Sequence, residues 1–105
     1  MKSFTEREKA FEAEFKRNQE LRFRVSARRN RLFGLWAAAR LGLSGGEGAE
    51  GYAKTVVEAD FEAPGDVINK VRTDLDNRDV AVTEAELRAE LDRAAAEARR
   101  QIAQP

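Results

Sequence analysis

Residues 3–42 read SFTEREKAFEAEFKRNQELRFRVSARRNRLFGLWAAARLG, and this stretch decides the fold class. It opens on Ser3 and Glu6, an S-x-x-E pattern in which each side chain satisfies a free backbone N–H of a first helical turn. After Glu6 neither proline nor glycine intervenes for 27 residues, and most of the residues are good helix formers. Gly42 stands where a residue of positive φ closes a last turn. The apolar positions fall into two sets. Phe4, Phe11 and Phe15 make a narrow stripe on an otherwise charged rod. Leu21, Val25, Leu32, Trp36 and Ala39 continue at helical spacing, joined by Phe33, Leu35, Ala37, Ala38 and Leu41. Residues 32–41 are apolar almost all round, as in a helix enclosed by others. One helix is therefore expected from Ser3 to Gly42, with a bend near Asn18, where the two stripes meet, left open.

The remaining chain predicts three shorter helices. Residues 44–51 hold four glycines and read as a loop. Tyr52, Val56, Ala59 and Phe61 mark a helix of about three turns. Pro64-Gly65-Asp66 ends it, with Asp66 as N-cap of the next helix, whose buried stripe is Ile68, Val71 and Leu75. Thr83 and Glu86 make a second capping box ahead of Leu87, Leu91, Ala94 or Ala95, Ala98 and Ile102. Strand signals are nearly absent, and no internal repeat is visible. The expectation is an all-α, four-helix bundle-like domain with a long first helix and a protruding or disordered N-terminal segment. Residues 1–18 form that segment and 19–105 a carrier domain.

Composition narrows the function. At 105 residues one domain is expected, and 42% hydrophobic against 36% charged residues allows a modest core under a heavily charged surface. The net charge is zero, but residues 1–42 carry +6 and residues 43–105 carry −6, so a basic front precedes an acidic back. With no cysteine and no histidine there is no disulfide, thiolate nucleophile or Cys/His zinc site, and the commonest general base is missing. No apolar run approaches the ~20 residues of a membrane span, which argues for a cytoplasmic or peripherally attached protein. No constellation of nucleophile, base and orienting group suggests an enzyme, and no cofactor is implied.

Four features of the sequence bear on chemistry. The phenylalanines at 4, 11 and 15 either join the core or dock into a partner's groove. Both readings stay open at this point: such a stripe ordinarily joins a core, but a rod rising 1.5 Å per residue outruns the short helices beside it. The arginines Arg22, Arg24, Arg28, Arg29 and Arg31 are available for phosphate or nucleotide contact, against the plainer reading of a solvated face paired with the acidic helices. Helical spacing spreads them around the axis, and no DNA binding is expected. Gly45-Gly46-Glu47-Gly48 lacks the Gly-Lys-Ser/Thr of a phosphate loop. The acids from Asp74 to Asp79 lack the glycine and closing glutamate of a calcium loop.

The residues also resemble a known family, the zeta subunit, the ATPase-inhibitor protein of alphaproteobacterial F-type ATP synthases. The resemblance spans essentially the whole chain. It is carried by Phe4-x-x-Arg7-Glu8-x-x-Phe11-Glu12 and by Ala27-Arg28-Arg29-Asn30-x-Leu32-x-Gly34-Leu35-Trp36-Ala37-Ala38. Pro64-Gly65-Asp66, Lys70-Val71-Arg72 and Asp74-Leu75 match further along. It implies four helices, with an N-terminal segment that inserts between catalytic and rotor subunits and blocks ATP hydrolysis by wedging rotation. The matching residues are Phe4, Arg7, Glu8, Phe11, Glu12 and Phe15, with Lys9 and Lys16 as flanking charges. It further implies a monomer when free, cytoplasmic and peripheral to the inner membrane through the synthase. An isolated amphipathic helix of this length is marginal in water, so residues 1–18 are expected to fray until bound. The alternative is a nucleotide- or nucleic-acid-binding helical protein using the arginines of residues 22–31.

Overall fold

The structure, a computed structural model, describes residues 3–43 and 45–103. Within them lie four helices and no strand: α1 (Phe4–Arg40), α2 (Gly46–Glu62), α3 (Val67–Asn77) and α4 (Glu84–Ala103). At 1.5 Å per residue the 37 residues of α1 span about 55 Å, which accounts for most of the 63 Å long dimension of the molecule. α1 is unbroken through Asn18. Its C-terminal half packs against α2 and α4, whose backbones stay further apart from each other, while α3 meets all three and closes one end.

Capping explains where α1 stops and starts. Ser3 Oγ accepts from the Glu6 amide at 3.2 Å, and Glu6 Oε2 accepts from the Ser3 amide at 3.0 Å, so the expected capping box is complete. At the other end Gly42 takes φ 81°, and the Leu43 amide reaches back to the Ala38 carbonyl at 2.8 Å. This is the glycine-closed turn that the sequence places at Gly42.

The core contains Phe33, Ala37, Val56, Val67, Val71, Leu75, Leu87 and Ala94, with Trp36, Leu32, Tyr52 and Leu91 packed against it. Phe33 stacks on Trp36 with ring centroids 5.8 Å apart. Small residues let α1 and α2 come close. A Cβ added to Gly34 would lie only 2.7 Å from the Cα of Ala53, so the α1–α2 contact is made nearly backbone to backbone.

Three expectations need correction. α2 begins at Gly46, not near Tyr52, so most of the expected loop is its first turn and a half. Gly48 and Gly51 weaken that turn by propensity, but Ala49 is buried beside Ala53 and Val56, and tertiary packing overrides the local preference. Asp66 occupies the N-cap position of α3 without a side-chain capping bond, and it is Val67, with Val71 and Leu75, that is fully buried, while Ile68 is half-buried. Phe61 lies on the surface, because it falls about 140° around α2 from Val56 at 100° per residue. α4 follows its expected stripe, with Leu87, Ala94 and Ala98 buried, and Thr83 Oγ1 accepts from the Glu86 amide at 3.1 Å.

Candidate functional site: the uncovered half of the first helix

Every residue from Ser3 to Arg24 is exposed, because α2 and α4 cover α1 only further along. On this overhang Phe4, Phe11 and Phe15 are 75%, 70% and 55% exposed. The 7 and 4 spacings place them within about 40° of one another on the helix circumference. Phe11 and Phe15 stack on each other, centroids 6.5 Å apart, a contact that shields little of either ring from water. Arg7 flanks the stripe on one side and Glu8 and Glu12 on the other, with Lys9 and Lys16 further round beyond the glutamates. None of these charged side chains forms an ion pair among the described residues, so the overhang presents aromatic rings between charges of both signs. A helix that buries none of its apolar face within its own fold has the form of a helix-in-groove ligand.

The five arginines behave differently. Arg28 donates to Gln101 Oε1 at 2.6 Å and so ties α1 to α4. Arg29 pairs with Asp60 at 3.6 Å and donates to Asn30 Oδ1, and Arg31 pairs with Glu50 at 2.7 Å. These three join α1 to the helices packed on it. Arg22 and Arg24 lie on the exposed part of α1 without an ion pair among the described residues. Arg24, Arg28 and Arg31 border one open surface depression, whereas Arg22 and Arg29 line another.

Between α1 and the end of α2 lies an open groove of about 380 Å³, lined by Arg22, Phe23, Ser26, Asn30, Asp60 and Phe61 among others. Its polar floor is satisfied internally. Asn30, the buried polar residue of the core, donates from Nδ2 to Asp60 Oδ2 at 2.9 Å, and Asp60 Oδ1 accepts the Gly65 amide at 3.1 Å. Phe23 and Phe61 stand at its rim, 59% and 74% exposed, in an edge-to-face pair with centroids 6.3 Å apart. The sequence reading did not single out this pair. For Phe61 the signal was available, since it departs from the Ala49, Ala53, Val56 stripe of its own helix.

No group of His, Cys, Asp or Glu among the described residues is arranged to hold a metal ion. No helix among them is long and apolar enough to cross a membrane. Burial and the Asp74 carboxylate push the Tyr52 phenol well above its ordinary range, but that group serves a contact between α2 and α3 away from the overhang.

No curated protein matches the chain at a significant level. The sequence model of one protein family, described as ATPase inhibitor subunit zeta, matches residues 1–101, which is nearly the full length. That match takes in both the exposed phenylalanine helix and the packed helices that carry it, and on its extent the chain belongs to the ATPase inhibitor subunit zeta family.

Proposed function

We propose that this protein restrains ATP hydrolysis by an F-type ATP synthase, and that it does so by inserting the exposed half of α1 between the catalytic and rotor subunits of the catalytic head. The observation that carries this reading is a stripe of three phenylalanines left in water on the part of α1 that no other helix covers, in a chain that belongs to an inhibitor family. Inhibition is steric. Phe4, Phe11 and Phe15 fill pockets, Arg7, Glu8 and Glu12 set orientation, and the chain contributes no chemistry of its own. The site of action is cytoplasmic, peripheral to the membrane through the synthase.

The energetics favour a preformed helix. Burying one phenylalanine contributes roughly 1.5–3 kcal/mol, so three supply several kcal/mol before ordering costs. Helix nucleation is the expensive step, and here the exposed turns continue a helix already held by packing at its other half. Extension from that template needs no new nucleus. The arginine reading has less to rest on, because Arg28, Arg29 and Arg31 are engaged within the fold.

The test is ATP hydrolysis by a catalytic head, titrated with the full chain and with a Phe11→Ala, Phe15→Ala double variant. The full chain is expected to inhibit saturably and the variant to inhibit at least tenfold less well, since losing about 1.4 kcal/mol suffices for that change. Equal inhibition by both proteins would remove the phenylalanine stripe from the mechanism, and no inhibition by either would remove the function.

A further inference from the structure

The phenylalanine stripe does not end at Phe15. Arg22 follows it at a spacing of seven and lies on the same line of the helix, Ser26 sits about 40° further round, and Phe23 and Asn30 lie about 80–100° round from that line on the same side. This side of α1 is the one that α2 covers from Asn30 onward. Cover stops where α2 stops, at Glu62, and Phe61 is the last aromatic of that helix. The groove beneath Phe23 and Phe61 is therefore the seam where α1 passes from the shelter of α2 into the open. Any surface lying along the phenylalanine stripe and continuing toward the carrier domain runs into this groove, about 28 Å along the axis from Phe4 to Phe23.

We propose that the groove bounded by Phe23, Phe61 and Arg22 is a second seat for the same synthase head, taking an apolar side chain flanked by carboxylates. This rests on the inhibitor reading above and extends it from the overhang onto the carrier domain. The polar floor of the groove is already paired, Asn30 with Asp60 and Asp60 with the Gly65 amide, so what it leaves open is the aromatic rim and the Arg22 guanidinium. An apolar occupant meets the need of the rim, and a polar small molecule does not. Arg22, which lines the groove, supplies the charge complementarity. It carries no ion pair among the described residues, in contrast to Arg29 and Arg31 about two turns along the same helix. A partner surface bearing carboxylates beside its apolar anchor satisfies both at once. The rim also stands apart from the fold's stability, since the core closes without either ring.

The experiment uses the full chain and three variants, Phe61→Ala, Arg22→Glu and the Phe11→Ala, Phe15→Ala pair, each titrated against ATP hydrolysis by the catalytic head. Circular dichroism and thermal melting check that each is folded. Phe61→Ala is expected to keep the wild-type melting temperature and to raise the half-inhibiting concentration roughly tenfold, the effect of uncovering one buried aromatic. Arg22→Glu is expected to weaken inhibition comparably at low salt and less at high salt. If the Phe11, Phe15 pair matters while Phe61→Ala and Arg22→Glu inhibit like wild type, the second seat is overturned and the overhang reading stands. If the wild-type chain itself fails to inhibit, the reading beneath both is lost. Sedimentation of the free chain supplies a third check. Concentration-dependent self-association that Phe61→Ala abolishes, with inhibition unchanged, would assign the rim to a second copy and overturn the proposal.

Discussion

Replacing Gly34 with alanine should destabilise the protein, although alanine is the better helix former. The added Cβ would lie 2.7 Å from Ala53 Cα, 3.1 Å from Ala53 Cβ and 3.2 Å from Val56 Cγ2. Carbon atoms in comfortable contact stand about 3.5–4.0 Å apart, so α1 and α2 must separate locally by about 1 Å. The first of those contacts is backbone, which no rotamer change relieves. Overpacking of this kind costs about 1–3 kcal/mol, and here the upper part of that range applies. Alanine recovers about 1 kcal/mol in helix propensity, leaving a net loss of about 1–2 kcal/mol. For a chain of this size that lowers the melting temperature by roughly 5–15 °C. Gly51→Ala is the matched control. It lies inside α2 on the exposed face with nothing within 4 Å of its added Cβ, so only propensity changes. It should raise the melting temperature by roughly 4–8 °C. Thermal unfolding followed by far-ultraviolet circular dichroism measures both. A Gly34→Ala protein that melts at or above wild type would show that the helices part without cost and would refute the close-packing argument.

Two further outcomes follow from the same geometry. Tyr52, the single tyrosine, donates to Asp74 Oδ2 at 2.8 Å, and its phenol is held up first by burial, then by that hydrogen bond and by the carboxylate's charge. Its folded value exceeds the unfolded value near 10, so its contribution to stability is complete below about pH 10 and is lost as pH rises toward the folded value. The phenolate absorbance of native protein should therefore appear at higher pH than that of denatured protein, and coincident titrations would contradict the buried contact. Amide hydrogen exchange should divide α1 in two, with amides of residues 8–22 exchanging orders of magnitude faster than those of residues 30–38, because only the second group is held by tertiary packing. Uniform protection along α1 would mean that the overhang is stabilised by something other than the packed helices.

Much of this fold is legible in residues that act locally. Ser3 with Glu6, Gly42 and Thr83 each do in the structure what their chemistry dictates in isolation, and they set both ends of α1 and the start of α4. The start of α2 is not legible, because Gly46, Gly48 and Gly51 lower helix propensity while Ala49 and Ala53 stabilise the helix through a contact with α1 that no local window contains. Asp66 has the right residue type and position for a cap, but Asp60 rather than Asp66 bonds the neighbouring turn. The exposed phenylalanine stripe could be read from spacing and from the length of α1 against its neighbours. The Phe23–Phe61 rim could not, since it depends on where the end of α2 lands on α1, a fact of three-dimensional packing between residues 38 positions apart.

In mechanical terms α1 is a cantilever. Its inner half is clamped between α2 and α4, by Gly34 against Ala53 on one side and by Arg28 with Gln101 on the other, while its outer turns project freely. A sideways load on Phe4 or Phe11 produces its greatest bending moment where the beam leaves the clamp, close to Ser26 and Asn30, and there the Arg29–Asn30–Asp60 network binds α1 to the last turns of α2. A push delivered along the axis passes through the unbroken hydrogen-bond ladder into the whole packed body. The buried asparagine at the clamp thus acquires a role beyond solvation of its own amide: it stiffens the point at which a thrust on the exposed tip would otherwise pry the first two helices apart.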